Sequence, residues 1–219
     1  MGENDKLTGL MQRKEFDDEF KRQMSDAMDK NEILTLALLD LDFFKNINDE
    51  FGHSTGDAVL IQIASILKEV AKKATSIARF GGEEFVLLFP DLEREQAFLI
   101  IEQIRSQVEK IKSYGAGKEK TNVKVTISGG VSAFPTDGMN AIEVLRKADQ
   151  ALYRAKTTGR NKICIAQEER MATKTTHYTL TQLERLSKLS KEENVGEAVL
   201  LREALDDLLI KYKVAEIES

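Results

Sequence analysis

Between Lys14 and Asp29 the apolar residues Phe16, Phe20, Met24 and Ala27 recur every three or four positions, which predicts a helix with one buried face. Ile33 to Leu39 then runs almost unbroken in apolar residues, the mark of a short strand covered on both sides. Helical spacing returns from Ala58 to Lys72, with Leu60, Ile61, Ala64, Leu67 and Ala71 on one side. Ser76 to Phe80 and Phe85 to Phe89 read as strands flanking Gly81-Gly82, hence a hairpin. Glu93 to Lys112 is a helix with Ala97, Ile100, Ile101, Ile104 and Val108 inward. Asn122 to Ile127 begins a strand that Gly129 and Gly130 are expected to bulge before Val131 to Phe134. A helix over Ala141 to Ala155 and a closing strand over Lys162 to Ala166 follow. The order α, β, α, β-hairpin, α, β, α, β predicts an α/β fold: a palm or ferredoxin-like sandwich with a mostly antiparallel central sheet.

The pattern changes after Ala166. Residues 167–174 are polar without a helical stripe and read as a linker. Residues 175–219 then offer a short Thr-rich strand, a helix with Leu183, Leu186 and Leu189, and a second with Val199, Leu200, Ala204, Leu205, Leu208 and Leu209. A strand-helix-helix tail of this size buries too little surface to fold alone, and association with a second copy is the usual remedy.

The 219 residues suffice for one good-sized domain and an appendage, and a net charge of −5 gives no general pull toward nucleic acid. The single cysteine, Cys164, excludes an internal disulfide and reads as a small core residue. No apolar run approaches the roughly 20 residues of a membrane helix, and the N-terminus lacks the layout of a signal peptide. A cytoplasmic protein without membrane contact is expected.

Two strand ends carry paired carboxylates, Asp40-Leu41-Asp42 and Glu83-Glu84. Hard cations such as Mg²⁺ are met by one or two carboxylates together with substrate phosphates, so the two ends outline a nucleotidyl-transfer centre. Between them, Lys45 stands in a turn whose backbone N–H groups can cradle an anion. Asn48 and Asp57 offer an amide and a carboxylate able to read a guanine edge. Gly81 and Gly82 leave room for a nucleotide against the backbone.

Taken together, residues 5 to about 166 resemble a GGDEF domain, the diguanylate cyclase family. The resemblance is carried by Asp5-Lys6-Leu7-Thr8-Gly9-Leu10, by Leu39 to Asp49, by Gly52 to Asp57, by the signature Gly81-Gly82-Glu83-Glu84-Phe85, and by Ala148 to Lys156 with Gly159-Arg160-Asn161. It implies a domain over residues 1–166 that condenses two GTP into cyclic di-GMP with release of pyrophosphate, one GTP on each of two facing domains. Asp40, the Leu41 carbonyl and Glu83 would hold Mg²⁺ or Mn²⁺, with Glu84 helping a second metal. Lys45, Lys156 and Arg160, with the backbone of Phe43 and Phe44, would contact the triphosphate. Asn48 and Asp57 would recognise guanine, and Glu83 would be the candidate base. In product-inhibited members an Arg-x-x-Asp motif stands where this chain has Lys72 and Thr75, so that feedback site is not expected here.

The tail resembles a ribbon-helix-helix unit, in which two chains pair their strands and interlock four helices. This implies a homodimer through residues 175–219. Such units can enter DNA, and a nucleotide-responsive DNA-binding regulator is the alternative reading. Acidic residues outnumber basic ones beyond Met171, and Glu197 falls where a helix start would approach a phosphate, so DNA is not favoured as a partner. Because the cyclase pattern starts at Asp5, no sensor domain is expected ahead of it, and regulation would come through the tail, a partner or expression level.

Overall fold

All eight residues of Leu34–Leu41 (β2) are buried, and their side chains alternate between two cores. Leu34, Leu36 and Leu38 enter one core, whereas Ala37, Leu39 and Leu41 enter the other. A strand covered on both faces takes apolar residues at most positions, with Thr35 and Asp40 the exceptions here, which is why its sequence is nearly continuous rather than alternating. The computed structural model describes residues 4–115, 121–167, 175–193 and 195–212. The chain divides into two compact units, residues 1–168 and 169–219.

In the first unit β2 is central in a six-stranded sheet of order β1 (Met11–Gln12), β3 (Ser76–Arg79), β4 (Glu84–Pro90), β2, β7 (Ile127–Phe134), β8 (Ile163–Ile165). The pairs β3–β4, β4–β2 and β2–β7 are antiparallel, and the outer pairs β1–β3 and β7–β8 are parallel. Helices α1 (Arg13–Lys30) and α5 (Ala141–Thr157) cover one face through Phe16, Phe20, Met24, Val144, Ala148 and Leu152. Helices α2 (Phe44–Phe51), α3 (His53–Val70) and α4 (Arg94–Lys110) cover the other. This is the α/β sandwich with a mostly antiparallel sheet that the sequence pattern predicts.

The differences are local. Residues 44–51 form a helix where only a turn is expected, and α3 starts at His53, five residues before Ala58. Thr121–Asn122 (β6) pairs with Ser113–Tyr114 (β5) in a separate ribbon and does not lead into β7. The expected bulge at Gly129 and Gly130 is absent, since β7 runs in unbroken register with β2 from Ile127 to Phe134. Those glycines serve close packing: a Cβ on Gly130 would lie 1.9 Å from the Ala148 carbonyl oxygen and 2.5 Å from the Leu152 nitrogen of α5.

In the second unit the two expected helices form, α6 (Leu180–Glu193) and α7 (Glu197–Lys211). The expected strand does not: residues 175–179 have no regular structure and Leu180 opens α6. Thr179 and Gln182 make a capping box there, Thr179 Oγ1 accepting from the Gln182 N–H and Gln182 Oε1 accepting from the Thr179 N–H. A strand also needs a partner, and among the described residues none pairs with this segment. Of the expected linker, only Gln167 lies within the described residues.

Because the atoms against Gly130 are backbone and cannot retreat, Gly130→Ala should lose on the order of 3 kcal/mol and lower Tm by roughly 5–10 °C. Gly82→Ala, where nothing lies within 4 Å of a Cβ, should change Tm little. Thermal denaturation of both variants checks the contrast, and an unchanged Tm for Gly130→Ala would contradict the packing described.

Candidate active site

The register of the central strands decides which side chains meet. Asp40 lies opposite Glu84 across the β2–β4 pair, and the Leu41 N–H donates to the Glu83 carbonyl at 3.3 Å. Asp40 continues the series Leu34, Leu36, Leu38, and Glu84 continues Val86, Leu88, so both carboxylates belong to the α1/α5 face. Lys156, in the last turn of α5, reaches Asp40 from that face with Nζ–Oδ2 at 2.8 Å.

This carboxylate group is electrostatically frustrated. Burial holds the Asp40 carboxyl above its usual range, opposed by Lys156 and reinforced by Asp42. Glu83 and Glu84 are also raised, first by burial and then by the Asp40 charge, with Lys156 again opposing. Asp149 adds to the rise at Glu84 and Arg13 offsets it. Among the described residues no three His, Cys, Asp or Glu side chains form a group able to hold a metal by themselves. The donor set nevertheless fits a hard divalent cation, since such ions take one or two carboxylates and complete their shell with phosphate and water oxygens.

The other expected residues surround β2's exit. Phe43 adopts a left-handed conformation (φ 59°) and leads into α2, and Phe44 is buried in the core below. Lys45 is exposed on the first turn of α2. Asn48 leans on Gly56, where a Cβ would lie 2.0 Å from Asn48 Oδ1, so the missing side chain at Gly56 admits the Asn48 amide beside exposed Asp57. The Arg160 guanidinium stacks on the Phe43 ring at 4.4 Å. Gly82 is open, whereas the space a Cβ would take on Gly81 is filled by the Glu84 carboxylate, 2.5 Å away. Room for a ligand against the backbone is therefore present at Gly82 and taken at Gly81 by the chain itself.

Several residues that the sequence leaves without a role brace the site. Arg79 donates from Nε and a terminal nitrogen to the Gly82 carbonyl, at 3.1 and 2.7 Å, and reaches Asp5 at 3.3 Å. Asp5 in turn accepts from the Thr8 N–H and hydroxyl. The spacing of Asp5 and Thr8 is a turn signal, but its link to Arg79 is visible only in three dimensions. Thr75 donates its hydroxyl to Gln23 of α1, and Lys72 is exposed. An open hollow of about 680 Å³ lies beyond α2, bordered by Phe43, Ile47, Phe51, Val123 and Arg160; it includes neither the carboxylates Asp40, Glu83 and Glu84 nor Asn48 and Asp57.

Known proteins resemble this chain in sequence and fold. The chain matches the family model described as diguanylate cyclase, GGDEF domain, over residues 3–162. It is 40% identical over 138 residues to Diguanylate cyclase A of Treponema denticola, covering 63% of this chain and 36% of that protein's length. Among solved structures, the GGDEF domain of DgcB from Caulobacter crescentus in complex with c-di-GMP aligns at TM-score 0.68 and 36% identity, over 75% of this chain and 96% of that one. The active GGEEF domain of a diguanylate cyclase from Vibrio cholerae aligns at TM-score 0.66 and 32% identity, over 72% of this chain and 98% of that one. Since the match extends from the Asp5 turn through the signature hairpin to the Asn161 turn, the chain belongs to the GGDEF domain family of diguanylate cyclases.

Proposed function

We propose that the protein is a diguanylate cyclase. The observation that carries this reading is the meeting of Asp40, Glu83, Glu84 and Lys156 at the end of β2, with Asn48 and Asp57 on the helices that follow. In the reaction the 3′-hydroxyl oxygen of one GTP bonds to the α-phosphorus of the other while the bond to the β-phosphate oxygen breaks. Repeating this in the opposite sense closes the ring and releases two pyrophosphates.

Asp40, the Leu41 carbonyl and Glu83 would hold Mg²⁺ or Mn²⁺, with Glu84 alongside; such an ion supplies neutralisation of the charge that develops on phosphate oxygens. Lys45, Lys156 and Arg160 bind the triphosphate together with the backbone at Phe43 and Phe44. Asp57 accepts from guanine N1–H and the 2-amino group, a pairing adenine cannot offer, and Asn48 serves the remaining edge. Glu83 is the candidate acceptor of the 3′-hydroxyl proton, and because a carboxylate that holds a metal is a weak base, water is the other acceptor.

Each GTP sits on its own domain, so turnover needs two chains face to face. We assign pairing to the tail: Leu183, Leu189, Leu205, Leu208 and Leu209 are each at least 39% exposed on its two helices, and a second copy would cover them. Residues 175–179, unpaired here, would gain a strand partner in that dimer.

Purified protein with GTP and Mg²⁺ should form cyclic di-GMP, and Asp40→Asn and Glu83→Gln should each lower the rate by a factor on the order of 100 or more. Parent-level turnover in either variant would remove that residue from the centre.

The electrostatics give a second test. Glu84 has a raised pKa, so the folded metal-free state binds its proton more tightly than the unfolded chain does. The stability this contributes is complete below the unfolded-state value of about 4.3 and is lost as pH rises through the folded value. Without metal, Glu84→Gln should therefore have a higher Tm than the parent at pH 8, and the difference should vanish near pH 4. A difference independent of pH would point to packing instead.

A chain ending at Ala166 should be monomeric by light scattering at concentrations where the full chain is dimeric, and its specific activity should fall steeply on dilution. Equal dimerisation and activity in the shortened chain would reject the tail's role.

A further inference from the structure

We infer that Asp42 is a positioning residue whose carboxylate fixes the 159–161 turn, so that Arg160 is held toward the triphosphate. This rests on the cyclase reading for the identity of the ligand, but its geometry is independent of it. Asp42 is 4% exposed, and both of its oxygens are engaged by the chain. Oδ1 accepts from the Ser128 hydroxyl at 2.7 Å, and Oδ2 accepts from the Thr126 hydroxyl at 2.7 Å and the Asn161 N–H at 3.0 Å. Its own N–H donates to the Thr126 carbonyl at 2.9 Å. Asp40, two residues earlier, is instead paired with a lysine. The two acids of Asp40-Leu41-Asp42 thus divide the work: Asp40 belongs to the cation centre and Asp42 anchors a turn.

That turn needs an anchor. Arg160 and Asn161 both have positive φ, 58° and 48°, a left-handed pair that residues other than glycine adopt only at a cost. Bonds from three elements offset it. The Asn161 N–H goes to Asp42 at the end of β2, and the Arg160 N–H to the Ala155 carbonyl in α5. From α4, Arg105 donates to Asn161 Oδ1 at 2.8 Å and Glu109 accepts from Asn161 Nδ2 at 2.8 Å. The Arg160 guanidinium then lies over Phe43, the residue after Asp42. Residues 42 and 43 accordingly hold the turn at its backbone and its side chain at once.

The hydrogen-bond pattern separates this role from metal binding. In Asp42→Asn the amide oxygen can take the Oδ2 position, still accepting from Thr126 and Asn161, while the NH₂ donates to the Ser128 hydroxyl, which can turn to accept. The anchor survives and only the charge is lost, a change a metal ligand does not tolerate. Asp42→Ala removes the anchor altogether. Asn161→Gly keeps the left-handed turn and its N–H but drops the Arg105 and Glu109 links, with no change at a buried site.

The test uses the full chain and compares KM and kcat for GTP with the dissociation constant of GMP, which lacks the β- and γ-phosphates. Asp42→Ala should raise KM for GTP by about tenfold, the loss of one charge-assisted contact, and leave GMP binding near the parent value. Asp42→Ala combined with Arg160→Ala should be no worse than Arg160→Ala alone. Asp42→Asn should restore the GTP preference, which keeps the proposal testable if the alanine variant does not fold, and Asn161→Gly, which retains the N–H that Asp42 accepts, should leave KM near the parent value; a rise as large as that of Asp42→Ala would move the anchor to Arg105 and Glu109. Loss of turnover in Asp42→Asn to the level of Asp40→Asn would make Asp42 a metal ligand. Equal weakening of GTP and GMP, or additive effects with Arg160→Ala, would reduce it to general structural support. A parent that binds GTP more tightly than GMP but forms no cyclic di-GMP would defeat the cyclase reading while leaving the positioning test intact.

Discussion

A strand buried on both faces cannot slip, and that constraint on β2 sets everything else. Moving its register by one residue would exchange Leu34, Leu36 and Leu38 with Ala37, Leu39 and Leu41, so that neither core keeps the side chains it is packed around. The same shift would turn Asp40 away from α5. Core packing therefore fixes the chemistry: Asp40 is opposite Glu84 because the leucines before it leave no other alignment. The close seat of α5 on Gly130 then carries Lys156 to the carboxylates.

The bracing around this strand end is distributed, and each piece answers a local need. At the tip of the signature hairpin, Arg79 ties the Gly82 carbonyl to the Asp5 turn. The 159–161 turn is strained, and Asp42 with Arg105 and Glu109 holds it. Between the two stands a group of carboxylates whose proton affinities are all raised by burial and mutual repulsion, only partly relieved by Lys156. Stability is given up at this spot in a form that a bound cation would return.

Much of this was legible in the sequence because period and burial coincide. The continuous run of β2, the 3.6-residue spacing of α1, α4 and α5, and the glycine pair between β3 and β4 each have one simple reading, and the fold class followed. What escaped were features set by distant partners. Gly129 and Gly130 look like a bulge until α5 is laid against them. Helix α2 is eight residues long with Phe44 and Ile47 its buried positions, too short to show a period. The Thr-rich segment before α6 has strand composition, but a ladder cannot form without a second strand, and Thr179 is used as a cap. In the site, the carboxylates, Lys45, Asn48 and Asp57 were visible as residue types that chemistry requires. Asp42 was read there as one of the paired carboxylates, but its hold on the far turn and the bracing by Arg79 were not visible, since their partners lie 119 residues away at Asn161 and 74 residues away at Asp5.

A crystal structure of the full chain with Mg²⁺ and a GTP analogue that cannot be cleaved tests the site most directly. The ion should lie between Asp40, the Leu41 carbonyl and Glu83, the guanine edge on Asn48 and Asp57, and Lys156 should have moved from Asp40 to the phosphates. A nucleotide bound elsewhere, with the Lys156–Asp40 pair unchanged and no ion at the end of β2, would contradict it.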